Sequence, residues 1–302
     1  MTDISSDLPI VVGVDGSPEA ARALEFAVQQ ARRDHCSLSL VCAIHEVVPI
    51  GPMLPLIAGD SLLDVGRQLL VDARDLVEEA SDGAVGVRLE VALGPAVDLL
   101  AAASDQARLV VLGHRSLSLV ERVFTGSTTF GVAARADCPV VSVPLETDLE
   151  TPRHRVVAAI DGSPGSAHVL AQASSAAAQR SATLEVLHCW RLNPFYSYLV
   201  DEWSVQEEWG KQTHAILDGL VEEAARAHPG LTVETHLEYA EVADTLVRRS
   251  AGADLMVLGR HGHGGPGARM VAAVLGAVTR AVLQHAPCPV EVVPAARRHR
   301  AS

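Results

Sequence analysis

Lysine is nearly absent from this chain. It occurs once in 302 residues, at Lys211, and every other base is Arg or His. A P-loop needs Gly-Lys followed by Ser or Thr. The only Gly-Lys here, Gly210-Lys211, is followed by Gln212, so that phosphate chemistry is excluded. Aromatic residues are also scarce, at 3%, so any core must be built from Val, Leu, Ile and Ala. Positive charge is in deficit. Lys and Arg number 24 against 37 Asp and Glu, a formal net charge of −13 and a pI near 5.4. This balance argues against a nucleic-acid scaffold and against adhesion to an acidic membrane surface.

Paired cysteines are missing as well. Cys36, Cys42, Cys138, Cys189 and Cys288 are odd in number and form no C-x-x-C. A disulfide framework or a cysteine zinc site is not expected, and reduced, mostly buried thiols are. Met1 to Pro9 is polar and acidic, without the basic start and apolar stretch of a secretory signal. No apolar run approaches the roughly 20 residues that span a bilayer. The expectation is a cytoplasmic protein with no membrane or nucleic-acid partner.

What is present is a globular balance, with 48% hydrophobic and 20% charged residues, in a length suited to two domains. The chain also repeats itself. Ile10-Val11-Val12-Gly13-Val14-Asp15-Gly16-Ser17-Pro18 returns as Val156-Val157-Ala158-Ala159-Ile160-Asp161-Gly162-Ser163-Pro164. Leu109-Val110-Val111-Leu112-Gly113 returns as Leu255-Met256-Val257-Leu258-Gly259, at the same separation of 146 positions. Cys138-Pro139-Val140 returns as Cys288-Pro289-Val290, but 150 positions on, so about four residues are added between Gly259 and Cys288. Two domains are expected, over 8–146 and 153–295, joined by the polar stretch Glu146 to Arg155. Arg297 to Ser302 reads as a basic, frayed tail.

Each copy alternates strands and helices. Strands are expected near 10–14, 38–44, 87–92, 109–112 and 140–143, then near 155–160, 183–189, 231–237, 254–258 and 290–293. Helices of the first copy are expected near 18–34, 61–81, 96–106 and 128–136. Several strands are apolar without alternation, as when helices cover both faces of a parallel sheet. The pattern is a doubly wound α/β unit, twice. Ligands of such sheets sit beyond the carboxyl ends of the strands, which directs attention to the residues after strands one, two and four.

Strand one ends in Asp15-Gly16-Ser17-Pro18. Asp15 can accept hydrogen bonds from an amino or hydroxyl group, and Pro18 suits a first helical turn. Equally, Asp15 or Ser17 can simply cap the helix. Strand four ends at Gly113. His114-Arg115-Ser116 follow, then nine residues, then Gly126-Ser127-Thr128-Thr129 opening the last helix. A helix N-terminus with free N–H groups, hydroxyl donors and a glycine suits phosphate. Again, Ser and Thr are favoured caps for local reasons alone.

These residues resemble the tandem universal stress proteins. The Asp-Gly-Ser turn, the loop G-x2-G-x9-G-[S/T] and the Cys-Pro-Val opening the last strand run in order through both halves. The resemblance implies five parallel strands in the order 3-2-1-4-5 in each domain, and ATP as ligand, with Mg as an optional companion. It implies that Asp15 and Ala43 lie by adenine and ribose, within a turn that Val14, Gly16 and Ser17 complete. Gly113, Arg115 and Ser116 would follow the ribose and phosphates, and Gly126, Ser127, Thr128 and Thr129 would hold the phosphates. The second set is Asp161, Cys189, Gly259, His261, Gly262, Gly276 and Thr279. It also implies a pseudo-dimer within the chain through the last strands, with a homodimer of chains left open, and a regulatory or stress-response role with an unidentified protein partner.

Both halves depart from the pattern. Ser116 stands where the family has its second glycine. In the second half thirteen residues precede Gly276 instead of nine, and Ala277 replaces the phosphate-binding hydroxyl. A weaker or altered second site is expected. Catalysis has little support, since no residue is marked to position an attacking water; slow hydrolysis is the most that is expected. A nucleotide-free scaffold is the alternative that Ser116 and Ala277 favour.

Gly262 to Gly267 fits a lone G-x-G-x-x-G, but it follows the fourth strand of its copy and reads as a glycine-rich loop. His261 and His263 have no third ligand in view, so no metal site is expected. Phe195, Tyr196, Tyr198, Trp203 and Trp209 read as a segment packed over the sheet, or as a lid.

Overall fold

The computed structural model describes residues 8–45, 59–114, 127–191, 217–262 and 275–295. The aromatic segment from Phe195 to Trp209, His263 and most of the glycine-rich loop lie outside them. The chain splits into two compact units, Met1–Leu149 and Glu150–Ser302.

In the first unit the strands are β1 (Ile10–Gly13), β2 (Leu38–Ile44), β3 (Val87–Leu93), β4 (Leu109–His114) and β5 (Val140–Pro144). All pair in parallel, in the order β3-β2-β1-β4-β5. The central strands are runs of Val, Leu and Ile because both of their faces are covered. Ile10, Val12, Leu38, Leu40, Val110 and Val111 are fully buried. β3 is an edge strand and reads differently. It exposes Arg88 and Glu90, charges that discourage pairing with a foreign strand.

Helix α1 (Pro18–Asp34) packs on β1, β4, β5 and α2 (Gly59–Ser81), and α2 packs on β2 and β3. Helix α3 (Ala96–Ala103) packs on β1, β2 and α4 (Ser127–Arg135). The helix expected over 96–106 ends at Ala103 and tightens into a 3₁₀ turn, Ser104–Gln106. Ser104 Oγ donates to the Ala101 carbonyl, and the Asp137 N–H donates to Ser104 Oγ. That local bond competes with further α-helix.

The sequence of α1 sets both of its ends. Ser17 is the N-cap, Pro18 occupies the first turn, and Glu19 meets the positive end of the dipole. At the other end Arg32 and Arg33 meet the negative end, and His35 turns left-handed (φ 51°) to close the last turn on the Ala31 carbonyl.

The second unit repeats this plan with β6 (Arg155–Ala159), β7 (Thr183–Trp190), β8 (Val233–Tyr239), β9 (Leu255–Gly259) and β10 (Val290–Val293). Their order is β8-β7-β6-β9-β10, all parallel. The helices are α5 (Ser166–Arg180), the helical residues 217–227 (α6), α7 (Val242–Ser250) and α8 (Ala277–His285). The doubly wound α/β reading holds in both halves. The strand expected near 231–237 runs two residues later, after the Pro229-Gly230 turn, where Gly230 takes φ 94°.

All five cysteines are free, Cys36 half-buried and the others buried. Among the described residues no helix is long and apolar enough to cross a membrane.

Candidate functional site

The crevice of the first unit begins where β1 ends. The Val14 N–H still bonds the Val41 carbonyl (2.9 Å), holding the exit of strand one against β2. The chain then breaks away at Gly16, whose φ of 79° suits glycine. Ser17 Oγ accepts the Ala20 N–H (3.1 Å) and so caps α1. Asp15 Oδ1 accepts both the N–H (3.0 Å) and the hydroxyl (2.5 Å) of Ser17. The capping reading therefore accounts for Ser17 and for one oxygen of Asp15. Among the described residues nothing bonds the other oxygen, and Asp15 is exposed at the strand ends. Cys42 lies close by; burial pushes its thiol pKa up, and the Asp15 charge adds to the effect. Ala43 sits half-buried at the end of β2, in register with Ala92 of β3.

At the end of β4, Gly113 is packed against the first turn of α1. A Cβ on Gly113 would stand 2.3 Å from the carbonyl carbon and oxygen of Glu19, and 2.8 Å from the Ala20 nitrogen. The Gly113 carbonyl accepts the hydroxyl of Thr129 (3.3 Å), which is buried in α4. Thr128 is half-buried beside it. Thus the strand-one turn, the end of strand four and the start of the last helix meet. Ser127 opens α4, whereas Arg115, Ser116 and Gly126 lie outside the described residues.

The second unit spells the same turn but folds it otherwise. Asp161 Oδ1 accepts the Ser163 N–H (3.0 Å) and the Ser166 hydroxyl (3.2 Å). Gly162 has φ 77°. The helix, however, starts at Ser166, after the Gly165 cap, with no side-chain cap bond. Gly165 occupies the place that Glu19 holds in the first unit. Glycine gives up the most backbone freedom in a helix and brings no charge to the dipole. The chain forms a turn from Ser163 to Ser166 instead (2.9 Å).

Two consequences follow at the end of β9. Among the described residues a Cβ on Gly259 would meet only the His261 carbonyl (3.3 Å) and a Val169 methyl (3.5 Å), and no helical backbone lies across it as Glu19 and Ala20 do at Gly113. Gly262, the counterpart of Ser116, comes so near the strand-one acid that a Cβ would stand 2.5 Å from Asp161 Oδ2. His261 is half-buried between them in sequence. Gly276 caps α8 through backbone alone, its N–H bonding the Arg260 carbonyl (3.1 Å). The Thr279 hydroxyl lies 2.9 Å from the Gly259 carbonyl and 3.4 Å from that of Arg260. Cys189, at the strand-two position, is buried. Its pKa is pushed up to about 12, by burial first and then by Glu238, its neighbour across the ladder.

Sequence reasoning missed the backbone of Glu19 and Ala20 as the partner of Gly113, and Ser166 as the partner of Asp161. The one available signal was Gly165 standing opposite Glu19 in the repeat.

The model of the universal stress protein family matches residues 8–144 and again 152–294. The universal stress protein Rv2005c of Mycobacterium tuberculosis is 31% identical over 290 residues, covering 94% of this chain and 96% of that one. A universal stress protein of Mycolicibacterium smegmatis is 29% identical over 299 residues, covering 97% and 99%. Among solved structures, a universal stress protein from Archaeoglobus fulgidus matches with a TM-score of 0.67 at 16% identity, covering 97% of this chain and 100% of that one, a likeness of fold.

Proposed function

The chain belongs to the universal stress protein family, and from that premise we propose that its first unit is an adenine-nucleotide-binding module with ATP as ligand. Binding is read out as a change of conformation or partner in a regulatory, stress-response role in the cytoplasm. The observation that carries this reading is Asp15. One of its oxygens is fixed by Ser17, among the described residues nothing bonds the other, and the residue is exposed at the carboxyl ends of the strands. A carboxylate held in this way is an acceptor prepared for an amino or hydroxyl group of a ligand.

In this reading Asp15 and Ala43 take the base and sugar. Gly113, Arg115 and Ser116 follow the ribose and phosphates. Gly126, Ser127 and Thr128 hold the phosphates at the N-terminus of α4. The second unit, over 153–295, is the weaker partner. Its Asp161 already serves Ser163 and Ser166, its Gly262 backbone lies against the same carboxylate, and Ala277 brings no hydroxyl to the helix start. The module acts by binding and release, with hydrolysis slow at most.

The double variant Gly126→Val, Ser127→Ala tests the phosphate half of this assignment. Each hydrogen bond to a charged phosphate contributes about 1.5–3 kcal/mol, so ATP affinity by titration calorimetry is expected to fall tenfold or more. An unchanged dissociation constant would contradict the assignment.

A further inference from the structure

We propose that Thr129 and Thr279 are positioning residues, each latching the first turn of the last helix of its unit to the end of the fourth strand. The motif alone would give these hydroxyls to phosphate. The geometry directs them inward. Thr129 and Thr279 are each only 4% exposed. The Thr129 hydroxyl bonds the Gly113 carbonyl at 3.3 Å, and the Thr279 hydroxyl bonds the Gly259 carbonyl at 2.9 Å.

The two units differ in almost everything around this contact. The preceding loop is nine residues long in one and thirteen in the other, and Ser127 gives way to Ala277. In the first unit His114 rests edge-on against Phe130, with ring centroids 6.1 Å apart; the second has Arg260 and Arg280 at those places. The threonine and its carbonyl partner are the same in both.

A β-branched side chain is stiff at χ1, so its hydroxyl is held where the rotamer puts it. A buried hydroxyl also favours a fixed partner strongly over none. The bond therefore fixes how far the helix start stands from the strand end. In the first unit that distance sets where the first turn of α4, from Ser127 on, presents its N–H groups. This consequence rests on the nucleotide reading; the latch itself does not.

The test uses the full chain. Thr129→Val and Thr279→Val keep shape and remove the hydroxyl, Thr129→Ser restores it, and Thr129→Ala is the fallback if valine disturbs folding. Hydrogen exchange is measured first on the nucleotide-free protein. Peptides over 127–135 are expected to exchange about tenfold faster in Thr129→Val and at the wild-type rate in Thr129→Ser, the change that follows from losing about one hydrogen bond. Peptides over 277–285 should respond to Thr279→Val alone. With ATP added, Thr129→Val should bind about fivefold more weakly, while Thr279→Val binds as wild type.

Unchanged exchange in Thr129→Val and Thr129→Ala would overturn the latch. So would loss of ATP affinity without faster exchange, which would make Thr129 a ligand contact. Failure of the wild type to bind ATP would defeat the nucleotide reading, and the exchange rates would still decide the latch.

Discussion

Gly113→Ala is expected to unfold the first unit about 6–12 °C earlier than wild type, while Gly259→Ala, at the equivalent place, shifts the second unit by only a degree or two. The two glycines hold the same place in the repeat and differ in packing. At Gly113 the added methyl would enter the backbone of Glu19 and Ala20 at 2.3–2.8 Å, and backbone cannot rotate out of the way. Either α1 lifts from the sheet or its first turn is rebuilt, which costs about 3 kcal/mol. At Gly259 the nearest atoms among the described residues stand at 3.3 and 3.5 Å, so a shift of a few tenths of an ångström suffices. Scanning calorimetry of both variants checks this. Equal shifts would mean that the difference in helix start between the units is not what spaces these glycines.

The second large effect is expected at Glu185. This residue lies on β7 with 4% exposure. Arg155 bonds it from β6 (2.6 Å), and Arg249 bonds it from α7 (3.1 Å). Arg249 also grips Glu238 of β8, and Arg248 reaches the same carboxylate at 3.1 Å. The hydrogen bond to Glu238 leads the causes that raise the Arg249 pKa. One buried acid thus ties two strands and a helix together.

Removing it takes from the Arg155 guanidinium its carboxylate partner and leaves Arg249 with Glu238 alone. Losing one member of a buried pair costs about 3–5 kcal/mol. Arg155 and Arg249 keep 27% and 29% of their side-chain surface in water, which places the cost at the lower end. Glu185→Ala is therefore expected to destabilise the second unit by about 3 kcal/mol. Trp190, Trp203 and Trp209 are the only tryptophans and all lie in that half, so fluorescence during urea unfolding reports this unit alone. A change below about 0.5 kcal/mol would show that the cluster behaves as a surface ion pair.

How much of this was legible in the sequence depended on whether the cause was local. Strand and helix positions came through because apolar runs and caps are local signals and the repeat states each of them twice. Ser17 and Pro18 marked the start of α1 correctly. The same letters at Ser163 and Pro164 did not mark the start of α5, because Gly165 replaces the residue that would stabilise its first turn. Gly113 was legible as a special glycine but not as the floor beneath a helix, since the contact with Glu19 is made only after the sheet has formed. Thr129 looked like a phosphate ligand because a motif gives spacing and not the direction of a hydroxyl. The Glu185 cluster was silent. Its members stand at 155, 185, 238 and 249, and their counterparts in the first half are Pro9, Ser39, Ala92 and Ala103, so the repeat gave no second copy from which to notice them.

The most direct test of the central claim is the number of adenine nucleotides each chain binds. Native mass spectrometry of the undialysed protein, followed by titration calorimetry with ATP, measures it. One nucleotide per chain, lost in the Gly126, Ser127 double variant, is the expected result. Two per chain would contradict the asymmetry drawn from Asp161, Gly262 and Ala277. None, even at millimolar ATP, would contradict the nucleotide reading altogether and leave a scaffold in its place.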